Sequence, residues 1–131
     1  MLKRKHISLM ILCAYVAAVA LMCFMKTDNT LPAGFDIFGI PSDKAAHFIM
    51  FFPFPILAHS AFLPSGKGLL RDLAISAVVF LTGSGFAAGT ERLQSMLEYR
   101  SGDIMDFAAD MAGMVCGSII TIIHMYRKHL K

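Results

Sequence analysis

Four long apolar runs constrain this chain more than any other feature. Residues 7–25 are uncharged over 19 positions, residues 45–63 carry only two histidines over 19, and residues 73–90 are uncharged over 18. A helix rising about 1.5 Å per residue carries each of them across the roughly 30 Å hydrocarbon layer. Within lipid every backbone amide and carbonyl must find its partner inside the segment, so helix is the structure such runs adopt. The fourth run, 104–126, is long enough too, yet holds Asp106 and Asp110 near its start. With 56% hydrophobic and 16% charged residues, a chain of 131 residues has more apolar surface than one soluble core hides. The expected fold is all-α and integral to the membrane: one domain over residues 1–131, four transmembrane helices in one bundle, spanning about 7–25, 45–63, 73–90 and 104–126.

The basic start "MLKRKH" and the "AVA" of Ala18–Ala20 also fit a cleaved signal peptide, but the run outlasts a usual signal core and continues through "LMCFM", which favours a retained span. Cys13, Cys23 and Cys116 fall within apolar runs without metal or redox spacing, so they read as buried small hydrophobes.

Lysine and arginine set the expected orientation. Lys3, Arg4, Lys5, Lys67, Arg71, Arg127, Lys128 and Lys131 fall on one side; Lys26, Lys44, Arg92 and Arg100 fall on the other, with every acidic residue except Asp72. Both termini are then expected in the cytoplasm of a multi-pass protein of the cell inner (cytoplasmic) membrane. Because topology accounts for the basic residues, the net charge of +3 gives no reason to expect nucleic acid as a partner.

Pro53 and Pro55 lack an amide hydrogen and should kink the second span about one turn past His47, while Ser42 or Asp43 is expected to cap its start. Gly85/Gly89 and Gly113/Gly117 each place two small residues on one helix face, the default expectation being that spans three and four pack there against one another.

The polar residues follow the same helical period. Asp43, Lys44 and His47 share a face; Glu91 and Gln94 share another at the end of span three. On span four Asp103, Asp106, Asp110, Gly113 and Gly117 form one stripe, so the carboxylates point where the close-packing glycines point, into the bundle. A charged aspartate at the bilayer centre costs roughly 2.5–3.5 kcal/mol on insertion scales, so these groups need counter-charges. Arg100, Arg92, Lys44 and His47 are available, with the planar fork of Arg100 best suited. His59, His124 and His129 read as interfacial, and Tyr15, Tyr99 and Tyr126 as an aromatic belt.

Three ordered motifs, "SDKAAHF", "GTERLQ" and "YRSGDIMDFAADMAGMVCG", together resemble the VanZ-like membrane proteins, a family named after a teicoplanin-resistance protein. Its pattern is Asp-Lys-x-x-His opening one helix, Glu-x-x-Gln closing the next, then an Arg, an Asp, an Asn and two glycines entering the last. Asp43, Lys44, His47, Glu91, Gln94, Arg100, Asp106, Gly113 and Gly117 match it, and Asp110 stands where the family usually has Asn. The resemblance implies a role in glycopeptide antibiotic resistance or surface-polymer biology.

From the residues, the leading expectation is a polar site at the extracytoplasmic face that binds a membrane lipid, a lipid-linked envelope precursor or an amphiphilic antibiotic. Asp43, Lys44, Gln94, Arg100 and Asp110 would be its ligand-binding residues. The alternative is a membrane-embedded hydrolase or transferase on a lipid-linked envelope substrate, with Glu91 and Asp106 as acid and base and His47 as proton shuttle. A further alternative is a non-catalytic structural or assembly protein, whose partner is a second copy of the chain or another membrane protein. No cofactor is expected, and the separated acidic and histidine residues show no metal-ligand signature.

Overall fold

A computed structural model describes residues 2–24, 36, 37, 39–62, 68–98 and 103–130. Helix α1 runs Leu2–Phe24, a short antiparallel hairpin pairs β1 (Asp36–Ile37) with β2 (Ile40–Pro41), and α2 (Ser42–Phe51), α3 (Phe54–Phe62), α4 (Leu69–Gln94) and α5 (Ile104–His129) follow. Four segments are long and apolar enough to cross a membrane: Lys5–Phe24, Ser42–Phe62, Leu69–Gln94 and Ile104–His129. Large apolar side chains such as Met10, Leu21, Ile49, Leu81 and Ile119 face outward on every span, a surface that suits lipid and not water. The protein is a multi-pass, all-α membrane protein.

The second span is interrupted as its prolines require, α2 ending at Phe51 and α3 starting at Phe54. At this break the Tyr15 hydroxyl of α1 donates to the Met50 carbonyl, so Tyr15 is an internal tie and not part of an outer aromatic belt. Helix α1 is part of the bundle: Leu12, Val19 and Cys23 are buried, Val19 and Cys23 clustering with Phe51, Ala87 and Met114. Cys23 is the only one of the three cysteines to be buried. Cys13 and Cys116 face outward, where lipid accepts a thiol as readily as a core does.

Spans three and four do pack against one another, Gly83 of α4 receiving Met114 of α5, but not through the glycine stripes expected to meet there. A Cβ added at Gly113 would lie 2.5 Å from the Phe48 carbonyl oxygen and 3.0 Å from the Phe52 amide nitrogen, and one at Gly117 would strike the Phe52 carbonyl oxygen. The stripe on α5 therefore packs against α2 and the α2–α3 break, not against α4. Gly85 and Gly89 have nothing within 4 Å, whereas Gly83 receives Met114 and Phe54. A small-residue stripe identifies the face that packs closely; which neighbour fills it depends on the whole arrangement.

This pairing builds the site. Helices α2 and α5 run in the same direction, and with glycine at 113 and 117 their backbones approach closely. The residues one or two turns N-terminal of that approach then meet: His47 and Lys44 on one side, Asp110, Asp106 and Asp103 on the other.

Candidate functional site

At the N-terminal ends of α2 and α5 charged side chains interleave as a ladder. Lys44 Nζ lies 2.8 Å from Asp103 Oδ2 and 2.9 Å from Asp106 Oδ1; His47 Nε2 lies 3.6 Å from Asp106 Oδ2, and His47 Nδ1 is 2.9 Å from Asp110 Oδ1. Each cationic or imidazole group thus sits between two successive carboxylates of the stripe. Both helix starts favour negative charge through their exposed amides. Asp103 serves as the N-cap of α5, its side chain accepting from the Met105 amide at 2.9 Å. Burial deepens along the ladder until Asp110, 1% exposed, lies about 9 Å along α5 from its first residue.

The other two spans complete this end of the bundle. Glu91 Oε1, near the end of α4, accepts from the Asp103 backbone amide at 2.5 Å and so ties α4 to the start of α5. Gln94, also buried, donates through Nε2 to the Cys23 carbonyl of α1 at 2.8 Å. At this end two carboxylate oxygens, Glu91 Oε2 and Asp110 Oδ2, are buried without a hydrogen-bond partner among the described residues, as is Asp72 Oδ1 at the other end. Leaving such an acceptor unpaired costs on the order of 1–3 kcal/mol.

His47, Lys44, Glu91, Gln94, Asp106 and Asp110 all gather at this end of the bundle. Asp43 lies at its rim, exposed, touching Lys44 at 3.4 Å. The N-cap of α2 is Pro41, without a side-chain cap bond; Ser42 and Asp43 already belong to the first turn, so neither takes the expected capping role. Arg100, the counter-charge expected to be best, lies outside the described residues, and Arg92 is exposed. Among the described residues, Lys44 and His47 are the groups that face the stripe. Asp103 was placed on the stripe but not among the site residues; as an N-cap and a partner of Lys44 it belongs there. Its signal was positional, being the last acidic residue before the apolar run.

The Lys44 ammonium beside Asp103 holds that carboxyl below the ordinary carboxylate range. A depressed folded value means stability that is fully present above the unfolded pKa, about 4, and lost as pH falls through the lower folded value. Lys44→Met removes this linkage. The stability gap between wild type and Lys44→Met in detergent micelles should therefore be widest at neutral pH and narrow below pH ~4; a gap constant from pH 7 to pH 3 would refute the pairing.

A second polar group occupies the opposite end of the bundle. Asp72, 4% exposed in the first turns of α4, meets His129 Nε2 at 3.0 Å. His129, expected to be interfacial, is exposed at the end of α5 and contacts a buried carboxylate. His59 of α3 has a buried Nδ1 and lines a cavity of about 10 Å³ with Ser76 and Thr121. That space is about the size of one water. Sequence reasoning passed over Asp72 because a lone acid beside Arg71 looks like an exposed loop residue. Among the described residues no three of His, Cys, Asp or Glu are placed to hold a metal ion.

Comparison with known proteins adds a family. The VanZ/LLP1 family model matches residues 8–125, nearly the whole chain, including the carboxylate ladder, Glu91 and Gln94 but not His129. The chain is also similar to a protein of Schizosaccharomyces pombe described as Uncharacterized protein C11E3.10, at 28% identity over 87 residues, 66% of this chain and 51% of that protein. The chain thus spans about half the length of this curated relative. No solved structure matches.

Proposed function

The chain belongs to the VanZ/LLP1 family, and from that premise we propose that the ladder end of the bundle recognises the head group of an envelope amphiphile through the hydrogen-bond donors it carries. The observation that carries this reading is the pair of buried acceptors without a partner among the described residues, Glu91 Oε2 and Asp110 Oδ2, in a cluster whose lysine, Lys44, is already engaged. An ammonium has three donors, and those of Lys44 face Asp103, Asp106 and Asp43 at 2.8, 2.9 and 3.4 Å. An anionic head group would have to displace those carboxylates. A hydroxyl, amide or ammonium would instead satisfy oxygens that are otherwise unpaired. The lysine and arginine distribution supports an extracytoplasmic position for this end, where lipid-linked cell-wall precursors and amphiphilic glycopeptides such as teicoplanin would offer such donors. Protection against an antibiotic of that type is the physiological role consistent with this reading.

Glu91→Gln tests it with little change of shape. Gln still accepts from the Asp103 amide but replaces the orphan acceptor with a donor or weakens it. Protein purified in mild detergent should carry a co-purifying amphiphile, identified by mass spectrometry, that is lost from Glu91→Gln at unchanged yield. Equal retention by both proteins sinks the reading.

One observation favours a second reading, a membrane-embedded hydrolase or transferase on a lipid-linked envelope substrate. Asp110 holds Nδ1 of His47 and leaves Nε2 directed towards Asp106, the arrangement by which a carboxylate orients an imidazole as a general base. Under that reading His47→Asn abolishes turnover of a polyprenyl-phosphate-linked substrate while binding persists.

A further inference from the structure

On α5 the residues Ile120, Ile123, His124, Arg127 and Lys128 recur at three and four positions and line a groove of about 580 Å³. The groove lies near the C-terminal end of α5, far from the carboxylate ladder at its N-terminal end. Its lower wall is apolar, with Ile120 49% and Ile123 53% exposed. Its upper wall is basic, and from Ile120 to Lys128 the helix rises about 12 Å. We propose that this groove seats one anionic phospholipid, its acyl chain against the isoleucines and its phosphate against Arg127, Lys128 and His124.

Charge complementarity selects the occupant. In a membrane-spanning helix an apolar stripe that turns basic at its end matches the passage from acyl chain to phosphate. Lysine or arginine near the membrane surface attracts anionic lipid, by roughly fivefold in affinity for each residue. A second copy of the chain fits poorly: two copies in one membrane share their orientation, so a face-to-face contact would oppose Arg127 and Lys128 to their own counterparts. A zwitterionic lipid brings its own ammonium to the same basic wall and gains less.

The chain contains no tryptophan, so Ile123→Trp places a single reporter in the groove. Its fluorescence is read in equimolar bilayers of phosphatidylglycerol and phosphatidylcholine, with bromine on the acyl chains of one lipid and then the other. Quenching should report a preference for phosphatidylglycerol of about fivefold or more, falling to near one in Ile123→Trp combined with Arg127→Gln and Lys128→Gln. A control reporter at Leu81→Trp, outward-facing on α4, should show no preference. Equal preference at the two reporters, or a preference that survives the double substitution, overturns the proposal. So does protection of the Ile123→Trp reporter from both lipids in a dimeric protein, which would assign the groove to a second copy.

Discussion

Replacing His47 with leucine is expected to destabilise the folded protein by about 3–5 kcal/mol, the cost of removing one partner from a buried charged pair. Asp110 is 1% exposed and loses its contact at 2.9 Å, while Asp106 loses its second neighbour. The double variant His47→Leu with Asp110→Leu should recover most of that loss, because exchanging a whole buried pair for apolar side chains is often near neutral. Asp110→Asn alone should be mild, since an amide still accepts from Nδ1 and brings no buried charge. Adding Asp110→Leu alone completes a double-mutant cycle, and the unfolding free energies of wild type, the two single leucine variants and the double variant in one detergent measure the coupling directly. A cost below about 1 kcal/mol for His47→Leu would mean that the pair is not a buried ionic contact.

The second large effect is expected at the glycines, and it separates two that look alike in sequence. Gly113→Val and Gly117→Val drive a side chain into the Phe48 and Phe52 backbone, where a carbonyl cannot swing aside as a side-chain tip can. Overpacking of this kind costs about 1–3 kcal/mol or more. Because the same approach brings α2 and α5 into register, these variants should also separate Lys44 and His47 from the carboxylates and abolish ligand retention. Gly85→Val and Gly89→Val meet open space and should leave stability within about 0.5 kcal/mol of wild type. If all four behave alike, the pairing of α5 with α2 is wrong.

Much of this architecture was legible from periodicity. Span positions follow from apolar length, the break at 52–53 from Pro53 and Pro55, and the inward direction of Asp106 and Asp110 from their alignment with Gly113 and Gly117. Each of these is a property of one helix. What escaped was relational. The partner of the glycine stripe is α2 and not α4, because a stripe specifies its own face and says nothing about its neighbour. Tyr15 pointed outward in the sequence reading and inward in the fold, because its acceptor, the Met50 carbonyl, is 35 residues away. Asp72 and His129 are 57 residues apart and belong to motifs of neither the second nor the third span. Lys44, one of the expected counter-charges, reaches the stripe because α2 and α5 run side by side from the same end; Arg100 lies outside the described residues. Among the described residues Lys44 is committed to carboxylates, and on the proposed reading the character of the site is that of acceptors awaiting a donor-bearing ligand.

The most direct test of that character compares two lipids that differ in what the head group offers. Purified protein is titrated with polyprenyl phosphate, an anion poor in donors, and with a polyprenyl-linked disaccharide peptide, rich in hydroxyls and amines. Tighter binding of the donor-rich lipid is expected, with a loss of about 10- to 100-fold in Glu91→Gln, the range for one hydrogen bond to a charged group. Equal or tighter binding of polyprenyl phosphate, unaffected by Glu91→Gln, would contradict it.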